Sequence, residues 1–374
     1  MKARLGDYIT EYSERNKQDA NIPVYSVTNS KGFVSEYFYK EVASKDKTTY
    51  KLVPKGYFAY NPSRINVGSV DFQRKEDCVI VSPLYVVFHV DDELDKNYLL
   101  YYLKSQPTLC QIKHVATGSV RDNLKFSYLS DFSIELKPLH EQRKIAKTLQ
   151  RVETLIACFK KQLEKLDELV KCRFVELFGD PVTNPKSWQL EKLVDLGELA
   201  RGISKYRPRN APFLLNGPYP LIQTGDISNA GTYITDYTSS YSEEGLKQSK
   251  LWPSGTLVIT IAANIAETSI LTFPACFPDS VVGFIAKGNR VSSLFIHYWF
   301  TFFQQKLEHD APQVAQKNIN LKILSELLVI VPPVEVQLSF TTFVSRIDKL
   351  RVAVQASLDK TQQLFDSLMQ EYFG

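Results

Sequence analysis

The sequence lacks long hydrophobic runs, paired cysteines and low-complexity tracts, and each absence excludes a class of protein. The most apolar windows, Leu327–Val331 and Leu294–Phe303, are too short or too polar at their edges to span a bilayer. Residues 1–12 carry charges throughout and have no apolar core of a signal peptide. The five cysteines are an odd, widely spaced set, which is typical of a reducing compartment. We expect a soluble intracellular protein with no membrane segment.

Motifs for catalysis and cofactor binding are also missing. There is no phosphate-binding glycine loop and no dinucleotide fingerprint. The tetrapeptide Asn61–Arg64 begins like an amino-methyltransferase motif but has the wrong third and fourth residues, and Glu135–Lys137 has no partner acids for a nuclease metal site. No histidine occurs at metal-ligand spacing; the five are His89, His114, His140, His297 and His309. We predict a chain that is not an enzyme and that binds no metal or cofactor itself.

Length and charge place the chain among ordinary globular proteins. With 374 residues, 44% hydrophobic and 23% charged, it is long enough for two domains, each with its own core. The net charge of +4 permits binding to a polyanion without requiring it. Composition alone therefore raises the expectation of nucleic-acid binding only slightly.

The most informative stretch is Leu139–Phe178, which has the heptad spacing of one half of a coiled coil. Gly179 and Pro181 follow it, as expected for a helix that ends there. Such a helix would contain about forty residues and measure roughly 60 Å. Its predicted apolar seam is Ile145, Leu149, Val152, Ile156, Phe159, Leu163, Leu166 and Val170, resumed by Phe174 and Leu177.

This helix occurs twice, because adding 195 to the residue numbers places it on the C-terminal segment. The shift carries Pro138 onto Pro333 and Gln142 onto Gln337 without a gap. The second seam becomes Phe340, Val344, Ile347, Arg351, Val354, Leu358, Thr361, Phe365, Met369 and Tyr372, in which only Arg351 and Thr361 are polar. The chain is thus a tandem duplication of a globule followed by a helix.

The globules repeat as well, although their sequences diverge. Short β-rich segments such as Gly56–Tyr60 and Cys78–Val90 precede a helix at Asn97–Ser105 in the first globule. In the second, Gly255–Ala262 reads as a strand and Ser293–Gln305 as the matching helix. The predicted domains are residues 1–138 and 180–333, and the predicted helical segments are residues 139–179 and 334–374.

Polar and basic loop residues are the candidates for DNA contact, because Arg and Lys meet phosphates while Asn and Gln read base edges. Each could equally be a solvated loop residue, but similar clusters occur at matching places in both repeats. In the first globule they are Tyr60, Asn61, Arg64, Asn66, Lys113, Ser119, Arg121 and Asn123. In the second they are Arg201, Lys205, Tyr206, Arg207, Arg209, Thr260, Asn264, Gln316, Lys317 and Asn318.

The order of these parts resembles the specificity subunit of type I restriction-modification systems. The resemblance rests on Leu129–Gln142, on the long helix ending in Glu176–Pro181, and on second copies at Leu324–Gln337 and Glu371–Gly374. It covers the whole chain. Two departures are His140, where the family often has a second proline or an acidic residue, and Thr260–Thr268, which lacks the expected basic and glycine residues.

The resemblance implies an α+β fold: two mixed α/β target-recognition domains separated by two long antiparallel coiled-coil helices, in a pseudo-two-fold tandem repeat. Each domain would read one half of a bipartite site in double-stranded DNA, and the helices would set the gap. The implied partners are methyltransferase subunits, expected to be two, which hold S-adenosylmethionine and methylate adenine, and restriction-translocase subunits. The implied location is the cytoplasm of a bacterium or archaeon.

Three other interpretations remain open from the sequence. The chain could serve a solitary methyltransferase without a nuclease, which the neighbouring genes would reveal. It could also be a coiled-coil adaptor that does not bind DNA, although this would not explain the duplicated globules. A peptide-binding or scaffold protein is the third interpretation, and absence of salt-dependent DNA affinity would favour it.

Overall fold

A computed structural model describes residues 2–35, 46–116, 123–261, 265–288, 290–310 and 320–374. The strands of the first half are β1 Lys2–Arg4, β2 Ile9–Glu11, β3 Ser26–Thr28, β4 Gly32–Val34, β5 Lys51–Pro54, β6 Phe58–Tyr60, β7 Val70–Phe72, β8 Cys78–Val81, β9 Val86–Val90 and β10 Ser133–Glu135. The α-helices there are α1 Lys96–Lys104, α2 Gln106–Ala116, α3 Phe126–Ser130 and α4 Leu139–Phe178.

The second half has the same kinds of element. Its strands are β11 Gln189–Lys192, β12 Gly197–Arg201, β13 Leu215–Leu221, β14 Tyr233–Ile234, β15 Ser239–Tyr241, β16 Leu257–Thr260, β17 Thr268–Leu271, β18 Val281–Ala286 and β19 Leu328–Val331. Its α-helices are α5 Leu193–Leu196, α6 Thr224–Ala230, α7 Glu243–Lys247, α8 Ser293–Asp310, α9 Leu321–Glu326 and α10 Val334–Phe373. Among the described residues, no helix combines the length and hydropathy that crossing a membrane requires.

Internal contacts divide the chain into two compact units. Unit 1 contains Met1–Lys161 with Gln355–Gly374, and unit 2 contains Gln162–Val354. Each unit therefore holds one globule and one half of each long helix. The domain boundaries given by the sequence, which separate globules from helices, stay a prediction.

The two units share one sheet topology. The main sheet of unit 1 has the strand order β2-β9-β6-β7, and all its pairs are antiparallel. The main sheet of unit 2 has the order β12-β18-β16-β17-β14, in which only the added edge strand β14 is parallel to its neighbour. In both units a strand that precedes the main sheet pairs with the strand that precedes a long helix, as β1 with β10 and β11 with β19. The duplication predicted from the helices thus extends through the strand order of the globules.

The predicted bounds of the central helix are confirmed. α4 and α10 are both 40 residues long and begin and end 195 positions apart. Gly179 follows α4 with φ 78°, the left-handed conformation of a glycine C-cap, and its N–H donates to the carbonyl of Val175 at 2.8 Å. The helix ends where glycine permits that turn and Pro181 prevents further helix.

In unit 1 the beginning of α4 packs against the end of α10, so the two helices run antiparallel. Ile145 and Leu149 belong to the same hydrophobic core as Met369 and Tyr372. Helix α1 closes this core, because Tyr101 packs edge-on against Phe365 with ring centroids 6.3 Å apart. The heptad pattern predicts this seam because it keeps one face of each helix towards its partner.

In unit 2 the end of α4 packs against the beginning of α10, again antiparallel. Phe174 and Phe178 both lie 5.5 Å from the ring of Phe340. Every predicted seam residue of both helices is buried or half-buried. Arg351 is also half-buried, and it pairs with Asp167 and Asp348 at 2.5 Å each. The polar break predicted in the second seam is therefore occupied by an ion pair.

Several predicted elements have different bounds in the structure. The strand predicted for Gly255–Ala262 is shorter at both ends, as β16, and the helix predicted for Asn97–Ser105 lies one residue earlier, as α1. The helix predicted for Ser293–Gln305 continues to Asp310 as α8. The apolar run Cys78–Val90 forms two strands, β8 and β9, with the turn expected at Ser82 and Pro83 between them. These differences concern where an element begins or ends and leave its type as expected.

Candidate nucleic-acid interface

A tight turn after strand β6 presents Asn61 and Arg64 in unit 1. The Asn61 side-chain oxygen accepts hydrogen bonds from the Ser63 N–H at 3.1 Å and from the Ser63 hydroxyl at 2.9 Å. This local bonding fixes the turn, as asparagine commonly does. Arg64 is exposed and makes no ion pair with any residue that the structure describes. Asn66 is half-buried, in the short 3-10 helix that follows the turn.

Two predicted contact residues are buried, and the prediction for them is wrong. Tyr60 has no exposed surface, its hydroxyl donates to the carbonyl of Leu124 at 3.2 Å, and burial strongly raises the pKa of the phenol. Thr260 is likewise fully buried. Both are the last residues of central strands, β6 and β16, where the side chain faces the core. Periodicity could not show which face of these short strands is covered.

An open groove of about 970 Å³ lies beside the Asn61 turn. Asn61 and Arg64 line it together with Lys31 and Lys75, and no carboxylate is among the described residues that line it. The remaining lining is rich in serine, threonine, asparagine and tyrosine. A groove with cations, hydrogen-bonding side chains and no negative charge suits a phosphate backbone and base edges.

Lys31 and Lys75 were not among the residues predicted from the sequence. Lys31 follows Asn29 and Ser30 in the turn between β3 and β4, and Lys75 lies in a charged turn after β7. Both are exposed. Nothing in the sequence distinguishes them from ordinary solvated turn residues, because folding alone brings them to the groove.

The structure places Asn123 beside the same turn. The N–H of Leu124, its neighbour in the chain, donates to the carbonyl of Pro62 at 3.1 Å. Lys113 lies exposed on α2, and this helix packs against the short helix that contains Asn66. The first-globule candidates of the described chain therefore belong to one region of unit 1.

In unit 2 the predicted basic residues gather around one carboxylate. Arg207 lies 3.5 Å from Asp279, and Arg209 also pairs with that side chain. The Nε of Arg201 donates to the backbone carbonyl of Asp279 at 2.9 Å. Lys205 is exposed on the same loop. Three arginines on one aspartate leave a net positive surface.

Asp279 holds these arginines together, and sequence reasoning missed it. It lies 70 or more positions from each arginine, so no local signal connects them. On the same loop, the ring of Tyr206 lies edge-on to Phe213 with centroids 5.0 Å apart, and both rings are about half exposed. Exposed aromatic rings beside arginines can contact bases as well as phosphates.

Several predicted residues lie outside the described part of the chain. They are Ser119 and Arg121 in the first globule, and Asn264, Gln316, Lys317 and Asn318 in the second. The DNA-contact role of these residues, and of the described candidates other than the buried Tyr60 and Thr260, stays a prediction.

A second groove, of about 620 Å³, lies in unit 2 between the long helices, α6 and α8. His297 lines it, and burial lowers the pKa of this imidazole to about 4. Its Nδ1 lies 2.9 Å from the hydroxyl of Thr268. Asp348 also lines the groove, and burial raises the pKa of its carboxyl. Within the described ranges, no group of three or more His, Cys, Asp or Glu side chains could hold a metal ion.

Comparisons with known proteins agree with this arrangement. The family model described as "Type I restriction modification DNA specificity domain" matches residues 6–168 and again 185–361. The MjaX specificity subunit of Methanocaldococcus jannaschii is 23% identical over 359 residues, covering 90% of this chain and 83% of the relative. The type I restriction enzyme EcoBI specificity subunit of Escherichia coli is 23% identical over 400 residues, covering 96% of this chain and 81% of the relative.

A solved structure has the same fold. The type I restriction-modification S subunit from M. genitalium superposes with a TM-score of 0.60 at 16% identity, covering 100% of this chain and 96% of that one. The two matches to the family model fall on the two copies of the duplicated unit. The chain therefore belongs to the family of type I restriction-modification DNA specificity proteins.

Proposed function

We propose that each unit reads one half of a bipartite DNA site and that the two long helices set the gap between the halves. The observation that carries this proposal is the repeated topology. One strand order occurs in both units, and each unit holds half of two helices of equal length. Two weak readers joined by a stiff spacer gain affinity only for sites whose halves have the matching separation.

The groove of unit 1 is the proposed reading surface of the first half. Asn61, Arg64, Lys31 and Lys75 supply amide and cationic groups without a competing carboxylate among the described lining residues. In unit 2 the exposed loop with Lys205 and the arginines around Asp279 takes this role. The cations supply affinity for phosphate, and the Asn61 amide nitrogen supplies a donor for a base edge while its oxygen is held by Ser63.

The chain is proposed to have no catalytic activity alone. Adenine methylation would be carried out by methyltransferase subunits that hold S-adenosylmethionine, and cleavage by restriction-translocase subunits. Assembly with these subunits would take place in the cytoplasm of a bacterium or archaeon. A system with a methyltransferase and no nuclease would use this chain in the same way.

Exposed leucines on the long helices are the proposed docking points for two methyltransferase subunits. Leu155 and Leu350 correspond through the repeat and are 52% and 54% exposed. Leu169 and Leu364 also correspond and are 47% and 50% exposed. Each unit thus carries one such leucine from each helix. Large exposed apolar side chains at equivalent positions suit two equivalent protein interfaces.

Native mass spectrometry tests the docking proposal. The wild-type chain should carry two methyltransferase subunits, whereas Leu155→Glu and Leu350→Glu should each carry one. Gln150→Glu, at an exposed α4 position, controls for the added negative charge, because it also changes the charge by one. Two subunits retained by both leucine variants would exclude these docking points.

Methylome mapping tests the reading of DNA. The host carries this chain with its neighbouring methyltransferase, and is compared with the same host lacking the chain. A split methyladenine motif should vanish on deletion, and exchanging residues 1–138 for those of a relative should change one half of that motif only. An unchanged methylome would contradict the proposal and favour an adaptor that does not bind DNA.

A further inference from the structure

Each long helix begins with a buried glutamine that joins it to its own globule. Gln142 in α4 is 0% exposed and Gln337 in α10 is 4% exposed. They are 195 positions apart, the repeat distance. Glutamine is rarely buried unless both its amide nitrogen and its oxygen are hydrogen-bonded.

In unit 1 the Gln142 side chain makes three hydrogen bonds, all to backbone. Its Nε2 donates to the carbonyl of Lys137 at 2.8 Å and to the carbonyl of Glu93 at 3.1 Å. Its Oε1 accepts the N–H of Asp95 at 2.8 Å. One side chain thus connects the segment that enters α4 with the segment that enters α1.

In unit 2 the Gln337 side chain makes the corresponding three bonds. Its Nε2 donates to the carbonyl of Arg290 at 2.7 Å and to the carbonyl of Pro332 at 2.9 Å. Its Oε1 accepts the N–H of Ser292 at 3.3 Å. The partner residues are different amino acids in the two units, but the backbone groups that bond to the glutamine are equivalent. The two copies therefore share the glutamine and the arrangement of its three hydrogen bonds.

The bonded segments are themselves rigid. Asp95 caps α1, because its Oδ1 accepts the N–H groups of Asn97 and Tyr98 at 3.0 and 3.1 Å. Ser292 stands in the same place before α8, where its hydroxyl accepts the N–H of Phe295 at 3.0 Å. Tyr98 and Phe295 are fully buried in the cores of their units. Each glutamine therefore connects a long helix to a helix fixed in the globule.

A side-chain amide satisfies this junction, and glutamine has the length with which it does so. Two carbonyls require two N–H donors on one atom, and the backbone N–H requires an acceptor attached to the same carbon as that atom. Methionine has nearly the same length and would remove the partner of two backbone carbonyls and of one N–H, most of which lie in a half-buried position. The long helix would then remain helical while losing its fixed attachment to the globule.

We propose that Gln142 and Gln337 are positioning residues that fix the angle at which each globule is held on its helix, and thereby set how strictly DNA sites are discriminated by gap length. The inference rests on the proposed reading of bipartite DNA. With a stiff junction, a site with the wrong gap cannot engage both readers without strain. With a loose junction, the globule swings to meet a displaced half-site, so the penalty for a wrong gap falls.

The test measures binding of the complex with its methyltransferase subunits to three DNA duplexes. They carry the native site, the same half-sites with one extra base pair in the gap, and the native gap with a mismatched base in one half. Gln142→Met and Gln337→Met are compared with the wild type. Gln150→Met is the matched control, since Gln150 is exposed on α4 eight residues beyond Gln142. Gln142→Asn, a shorter amide, provides a milder variant if methionine impairs folding.

The readout is the ratio of dissociation constants for the wrong gap and the native gap. We expect this ratio to fall about tenfold in both methionine variants, which corresponds to ~1.4 kcal/mol. Discrimination against the mismatched base should stay as in the wild type, as should all ratios for Gln150→Met. A purely structural role would reduce the active fraction for every duplex and leave the ratios unchanged, and that result would overturn the inference. A wild-type complex that ignores gap length would instead refute the proposed function.

Discussion

At the scale of single residues, Arg64 is the most direct point at which to test DNA contact. It is exposed, it lines the groove of unit 1, and no ion pair to a described residue restrains it. We expect Arg64→Ala to weaken binding of the native duplex about tenfold and to reduce the slope of log K against log salt by about 0.9, because one phosphate contact is lost. Affinity measured at several salt concentrations gives both values.

The control for Arg64 is Arg15→Ala, because Arg15 is exposed in the same unit but does not line the groove. Its affinity and salt slope should match those of the wild type. Equal values for the Arg64 and Arg15 variants would remove the groove from the interface.

His297 makes the stability of unit 2 depend on pH. Burial lowers the pKa of His297 from 6.5 to about 4, so the folded state keeps the neutral imidazole while the unfolded chain binds a proton. The contribution of His297 to the free energy of unfolding is therefore fully present above its unfolded-state pKa of 6.5 and is lost as the pH falls towards 4. We expect the free energy of unfolding to fall by about 2 kcal/mol between pH 7 and pH 5 because of this group.

Urea unfolding followed by tryptophan fluorescence measures this effect, because all three tryptophans, Trp188, Trp252 and Trp299, lie in unit 2. His297→Gln should lose the pH dependence that His297 supplies. Burial raises the pKa of the Asp348 carboxyl, so this group makes the folded state more stable as the pH falls, opposite to His297. Asp348 is present in both the wild type and the variant. The difference between their unfolding free energies at each pH therefore reports His297 alone. Parallel pH profiles would contradict the prediction.

Residue-level prediction from the sequence located the polar turn, which local chemistry specifies, and failed where burial decides. Asn61 and Arg64 were identified because a turn exposes polar side chains. Tyr60, one position earlier, was included wrongly, because it is buried in a core formed by residues distant in sequence, and its hydroxyl bonds to the carbonyl of Leu124. Asp279 was missed for the same reason, since its arginines reach it only in the folded chain.

At the scale of elements, the long helices were predictable to the residue and the sheets were not. A heptad pattern, a glycine and a proline are local signals, and from them the sequence predicts the bounds of α4, Leu139 and Phe178. The strands are two to seven residues long, and their pairing joins segments as distant as β11 and β19. No local pattern specifies such partners, so only the structure revealed the shared strand order.

The helix seam of unit 2 should depend strongly on Phe174. This ring is fully buried, with the rings of Phe178, Phe302 and Phe340 at 4.8, 5.0 and 5.5 Å. We expect Phe174→Ala to lower the free energy of unfolding by about 3–5 kcal/mol, because it leaves a cavity between the helices and α8. Urea unfolding followed by tryptophan fluorescence gives the value.

Val175→Ala is the adjacent control. Val175 is 42% exposed, so its truncation should change the unfolding free energy by no more than about 0.5 kcal/mol. If the two variants were equally stable, the aromatic cluster would not hold the helices together as the contacts suggest.

At the scale of the whole molecule, the duplication explains why one chain can have two similar units with different surfaces. The helices keep their length and their glutamines. Asn61 and Arg64 of unit 1, in contrast, fall on Thr256 and Ile259 of unit 2, so the expected match of polar clusters does not hold for these two groove residues. Matching parts serve the spacing of the proposed half-sites, and diverging parts serve their different base sequences. Spacing and base choice should therefore be separable by mutation.

Lengthening both helices tests that separation. One heptad is inserted after Lys161 in α4 and one after Val354 in α10, the positions where the two units divide. Seven residues preserve the seam and add about 10.5 Å to each helix. We expect methylome mapping to find the same bases in each half and a gap longer by up to about three base pairs, since base pairs stack 3.4 Å apart.

The control is a heptad inserted in α4 alone. It makes α4 seven residues longer than α10, so the residues of the two helices no longer meet their partners along the seam, and the methylated motif should disappear. If the gap stayed constant with both insertions, the helices would not set it, whereas altered bases in either half would mean that reading and spacing are not separate.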